Sequence, residues 1–252
     1  MTVEPGLPVA LALGLLLALS LVVHRVGGYR LERTALVSAV RALVQLSVIA
    51  LLIGAVVDDL RLTALLVLVM FTVAVVTTSR RVGSVRLWPG AALAMAAGLV
   101  PVLVIVLATG SVPFEGIAIV PVAGIVIGNT MSAHTLAARR ALDALRDERP
   151  QYEAGLALGM LPARASREVV HGRVAEALLP DLDKLGTTGL VTLPGAFIGV
   201  MLGGGSPVQA ATAQVLVLFG ILAAQVVTVV LVERLVAARV LMPADLRAEL
   251  PV

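Results

Sequence analysis

The chain has no cysteine, which removes disulfides, thiolate metal sites and cysteine nucleophiles together. It has a single lysine, Lys184, set in the sequence DLDKLG. A P-loop needs a glycine-rich turn followed by lysine and then Ser or Thr, so this chain does not hydrolyse ATP by that route. Aromatic residues are only 3% of the 252 and do not interleave with the arginines, so a pI near 10.1 does not point to nucleic acid. Charged residues are scarce too, at 14% against about a quarter in soluble domains. Every acidic residue reads as lying in a loop or at a helix end, which counts against proton coupling through buried carboxylates. No nucleophile clusters with a base, which counts against an enzyme.

What fills the sequence instead is apolar: 59% hydrophobic residues and a mean hydropathy of +1.03. A helix needs about 20 such residues to cross a bilayer, and backbone groups in lipid must be satisfied within the segment. Seven runs qualify, at about 7–23, 34–56, 62–78, 87–108, 117–138, 187–202 and 215–232. The expected fold class is therefore all-α, a polytopic membrane protein with about seven transmembrane helices in one domain over 1–252. The first run reads as a retained helix rather than a secretory signal, because its flank carries Glu4 and no Lys or Arg. Basic residues alternate from loop to loop: Arg25, Arg30 and Arg33, then Arg80, Arg81 and Arg86, then eight after the fifth run, then Arg234 and Arg239. Lys and Arg resist translocation, so a plasma-membrane protein with its N-terminus outside and its C-terminus cytoplasmic is expected.

Residues 139–184 hold 16 of the 35 charged residues. In this cytoplasmic loop, about 139–186, the fifth helix continues through ARRALDALRDER until Pro150. Two short helices follow, QYEAGLALGM and ARASREVVHGRVAEALL, closed by Pro162 and Pro180. Short helices separated by prolines make a compact docking element. Its centre is Glu153-Ala154-Gly155, three residues, then Gly159 and Leu161-Pro162. Small residues at that spacing let a neighbouring protein approach the backbone, and Glu153 near the helix start suits the dipole and can pair with an arginine of a partner.

Within the membrane, Arg41 with Gln45 one turn on fits either a snorkelling arginine with a helix contact or a charged substrate gate. Asn129, Met131, Ser132 and His134 form the densest polar group of any span. Interhelical hydrogen bonding and metal ligation both account for it, and His24 and His171 read as solvated. Gly195, Gly199 and Gly203 recur every four residues, as do Gly124 and Gly128, which suggests close helix packing, either static or sliding. Pro194 beside the first stripe allows a kink.

The pattern Glu153-Ala154-Gly155-x-x-x-Gly159 resembles the coupling loop of importer-type ABC permeases, with Gly155 in place of the second Ala and the downstream Leu-Pro displaced to Leu179-Pro180. Arg41-Ala42-x-x-Gln45-Leu46, GIVIGNTM from Gly124, LGMLPARAS in the loop and KLGTTGLVTLPGAFIGVMLGGGSPVQAATAQ from Lys184 resemble the permease subunits of bacterial iron-export ABC transporters, a family that also includes plant half-transporters linked to aluminium tolerance. This chain has Ala196 and Phe197 where that family often carries methionines. The resemblance implies a homodimeric permease with a separate ATP-binding subunit that supplies ATP and Mg, no cofactor on this chain, and export of iron or a related metal. A partner-independent channel or secondary carrier, or an ABC permease for a small organic solute, is the alternative.

Overall fold

A computed structural model describes residues 6–250, and Glu4 lies outside them. Apart from one isolated bridge between Thr188 and Thr192, the described residues form helices and their connections, as expected for an all-α membrane protein. The chain divides into two units, 1–58 and 59–252. In the first, α1 (Leu7–Val26) packs on α2 (Glu32–Val57) through a tight turn in which Gly28 and Arg30 adopt positive φ. No described residue of this unit is buried. Two helices this apolar, with no described residue buried, are suited to lipid or to other protein, not to water.

The second unit begins with α3 (Leu60–Val82), capped by Asp59, whose carboxylate accepts from Arg61 N at 2.7 Å. After a 3-10 turn come α4 (Trp88–Ala108), α5 (Gly116–Asp147), α6 (Arg149–Ala157), α7 (Pro162–Ala175), α8 (Leu179–Thr187), α9 (Gly195–Leu202), α10 (Pro207–Ala237) and α11 (Ala244–Glu249). Prolines stand in the first turn of α4, α6, α7, α8 and α10, where the missing N–H costs nothing. Pro150 and Pro162 therefore open helices instead of closing the ones before them. Ser206 and Gln209 add a reciprocal capping box at the start of α10.

Six helices, α1 to α5 and α10, are long and apolar enough to cross a bilayer among the described residues. Around α10 pack α4 and α5, with α3 against α5. One apolar cluster lies within this bundle and includes Met95, Leu99, Val126 and Ile127. With 32 residues, α5 is about 48 Å long, well beyond the ~30 Å hydrocarbon layer. Its projecting end forms a second core: Leu142 and Leu145 meet Tyr152, Val170, Val174, Val236, Leu241 and Met242. The charged loop is thus a packed helical body built on the ends of two spanning helices.

The run at 187–202 is not one helix. It contributes the last residue of α8, a non-helical stretch at 188–194 and the eight-residue α9. The physical causes are local. Gly189 adopts φ +89, Pro194 lacks a donor and pushes Leu193 toward extended backbone, and the Thr187 and Thr188 hydroxyls donate to the Asp183 and Lys184 carbonyls at 3.0 and 2.7 Å.

Candidate functional site

The α6–α7 hairpin projects from the charged end of the bundle. Tyr152 anchors it, fully buried, its hydroxyl accepting from Arg239 Nη2 at 3.0 Å. Glu153 and Ala154 face outward, and Glu153 pairs with Arg149 at 2.8 Å. Gly155 does not face a partner, because it is buried and a Cβ there would lie 3.1 Å from that of Ala165 on α7. Its smallness serves the contact between α6 and α7. Gly159 also changes meaning. Its φ is +86, with Gly159 N donating to Leu156 O (2.9 Å) and Met160 N to Gly155 O (3.0 Å), the Schellman closure of a helix. The space for a side chain is open, so the backbone conformation selects glycine there. Gly159→Trp is expected to cost about 1–2 kcal/mol through left-handed strain and Gly159→Asn far less, read as the thermal unfolding of detergent-purified protein. Pro162 is the first residue of α7. On either side of the turn stand Leu158 and Leu161, 80% and 76% exposed. The sequence pattern named Leu161 with Pro162 but not Leu158, although two leucines beside a glycine stop are a recognisable signal.

A second group forms where the start of α8 meets α10 and α5. Gln225 on α10 is wholly buried, twelve residues and about 18 Å from that helix's end at Ala237. Its Nε2 donates to Asp181 Oδ2 on α8 at 2.7 Å, and approaches Asn129 O on α5 at 3.4 Å. Lys184 Nζ donates to the other oxygen of Asp181 at 2.8 Å. These residues, with Leu185, Leu218, Ile221 and Leu222, line a cavity of about 90 Å³. About three turns of α10 closer to its start, Gln214 Oε1 accepts from Phe197 N (3.3 Å) and so caps the first turn of α9. Two short helices flank non-helical backbone here, and in the single chain that backbone carries exposed residues from Gly189 to Leu193. Asp181 in the first turn of α8 and Glu233, four residues from the end of α10, keep to helix ends as expected, although Glu233 is buried. Glu233 accepts from Arg167 Nε at 2.7 Å and lies 3.1 Å from His171 Nδ1, tying α7 to α10. His171 is largely exposed, as expected, and also reaches Glu233.

The four candidate pathway residues of α5 do not converge. Asn129 and Ser132 share a face and donate to their own helix, to Ile125 O and Gly128 O. Met131 packs against the bundle cluster. His134 is buried away from the surface, hydrogen-bonded to Thr78 of α3 at 2.8 Å, and Thr78 in turn bonds Thr135 at 2.7 Å. Four residues inside six positions necessarily spread around a 3.6-residue turn, and only Asn129 reaches the group at Asp181. Among the described residues no three His, Cys, Asp or Glu side chains converge as a metal site. Arg41 and Gln45 are exposed on one face of α2.

The glycine stripes prove different from close-packing seams within the chain. A Cβ at Gly128, Gly195 or Gly199 would meet nothing within 4 Å, Gly203 would meet only its own turn, and Gly124 would meet the flexible end of Met70. Close approach occurs elsewhere. At Gly98 on α4 a Cβ would run into Ala224 O and Thr228 Oγ1 of α10. Pro194 caps α9 in an extended conformation and ends the break rather than kinking a helix.

The model of an uncharacterised protein family, UPF0014, matches residues 7–241. Among curated proteins, the chain is similar to the probable iron export permease protein FetB of Escherichia coli (strain K12), 32% identical over 216 residues that cover 84% of this chain and 83% of that protein. It is similar to UPF0014 membrane protein STAR2 of Oryza sativa subsp. japonica, 32% identical over 204 residues, 80% of this chain and 72% of the relative. Protein ALUMINUM SENSITIVE 3 of Arabidopsis thaliana is 34% identical over 106 residues, 42% and 39% of the two chains. No solved structure matches the chain.

Proposed function

The chain belongs to the uncharacterised protein family UPF0014, and from that premise we propose that it is the membrane-spanning permease subunit of an ATP-binding cassette transporter that exports iron or a related metal. A separate ATPase subunit binds ATP and Mg and drives it, while this chain holds no cofactor. The observation that carries the reading is the α6–α7 hairpin, a packed helical element that presents Leu158 and Leu161 to solvent at the charged end of the bundle. Similarity to a probable iron export permease supports the metal.

The alternation of arginines supports a plasma-membrane orientation with the N-terminus outside and the C-terminus and hairpin cytoplasmic. A homodimer is supported by the α8–α9 break, where Leu190 is 92% exposed in the single chain. Irregular backbone at membrane depth is tolerated only when protein or a water-filled cavity covers it, and a second copy supplies that cover. ATP binding in the partner pushes α6 and α7. The Glu233 pairs with Arg167 and His171 carry the push to α10, where Gln225 holds α8.

Cells overproducing this chain together with its ATPase are expected to contain less iron and to tolerate oxidative load better, measured as total cell metal by mass spectrometry. Unchanged metal content with a shifted organic solute would replace the metal by an organic substrate.

A further inference from the structure

We propose that Asp181, Gln225 and Asn129, where the first turn of α8 meets α10 and α5, form a site for a hard, hydrated divalent cation, and that the ammonium of Lys184 is its tethered competitor. One oxygen of Asp181 accepts from Lys184 Nζ at 2.8 Å, and the other faces Gln225. The amide NH2 of Gln225 donates to that second oxygen at 2.7 Å. That orientation leaves Gln225 Oε1 buried with no partner, on a side chain that lines the 90 Å³ cavity. An unpaired buried acceptor is costly, and a cation relieves it. Asn129 donates its own Nδ2 to Ile125 O, which leaves its amide oxygen as a further acceptor beside the cavity.

Every donor is oxygen, the set preferred by hard divalent ions. The cavity has room for about three waters at ~30 Å³ each, so the ion keeps part of its hydration shell. Lys184 already places a positive charge against Asp181 Oδ1 at 2.8 Å, yet its side chain is 72% exposed. It can leave toward solvent at little cost. The lysine thus keeps the carboxylate neutralised until a cation takes its place, and the non-helical stretch just beyond α8 lets Lys184 swing without unwinding a long helix.

The inference rests on the metal-permease reading, and binding and transport separate the two. The full-length protein in phosphatidylcholine nanodiscs is titrated with Mn(II), and the loss of the free aqua-ion EPR signal is followed. Lys184→Met is expected to bind at least tenfold more tightly than wild type, Asp181→Asn to lose that binding, and Gln225→Glu, which preserves size, to tighten it. Equal binding by wild type, Lys184→Met and Asp181→Asn, with metal efflux from cells intact in Asp181→Asn, overturns the site and leaves the permease reading standing. Mn(II) binding lost in Asp181→Asn, in a chain whose overproduction moves no metal out of cells, supports the site and removes metal export.

Discussion

Replacing Leu158 and Leu161 together by glutamate is expected to abolish ATP-driven transport while the permease still folds and inserts. Both side chains are largely exposed and lie outside the core around Tyr152, Val170 and Leu145, so charging them removes no packing from the chain. Fully burying a leucine contributes about 1.5–3 kcal/mol, and a few central apolar anchors dominate most interfaces. Losing two at once, with carboxylates facing an apolar pocket, weakens docking by about a thousandfold or more, since each 1.4 kcal/mol is tenfold. Pull-down of the ATPase and permease-stimulated ATP hydrolysis are the quantities to measure. Normal binding and turnover in the double variant would show that the hairpin is not the coupling element. Glu153→Arg is the milder companion. Its carboxylate already pairs with Arg149 on the surface, and exposed pairs contribute little, so a severe effect there would mean that a partner desolvates it.

Gly98→Leu is expected to prevent the bundle from assembling. The backbone of α4 meets α10 at this residue, where Ala224 O and Thr228 Oγ1 occupy the space a Cβ would need. A carbonyl oxygen cannot rotate aside as a side chain can, so α4 and α10 must separate and give up contacts along both. Overpacking costs about 1–3 kcal/mol in ordinary cores and more where backbone must move. The expected result is loss of a monodisperse peak in detergent and a fall in thermal midpoint even for Gly98→Ala. Gly199→Ala is the control, since a methyl there meets nothing within the chain. Equal midpoints for Gly98→Ala and Gly199→Ala would overturn the assignment of the α4–α10 crossing.

Both results bear on what could be seen in advance. The apolar runs, the long α5 that outgrows the bilayer and the proline-bounded hairpin were legible because each depends on neighbours within a turn or two. Length against bilayer thickness and the missing proline N–H act locally. The glycines show the limit. Their four-residue spacing on α9 suggested a seam, but spacing places residues on one face without saying what stands opposite. Gly98, which has no such pattern, proved to be the close approach. In the same way 187–202 had the composition of a spanning helix, and a positive φ at Gly189, hydroxyls bonded back to the chain and Pro194 together divided it.

The amino-acid sequence by itself determined that this is an all-α membrane protein with a charged helical body at one end, because transfer of apolar residues into lipid and backbone satisfaction act on composition and length alone. Tertiary structure decided which polar side chains meet. Asp181 and Gln225 are 44 residues apart, and His134 finds Thr78 across 56. Such partners are chosen by how helices rotate and slide as they pack, and one residue's shift along a helix turns a side chain by about 100°, from a cavity to lipid.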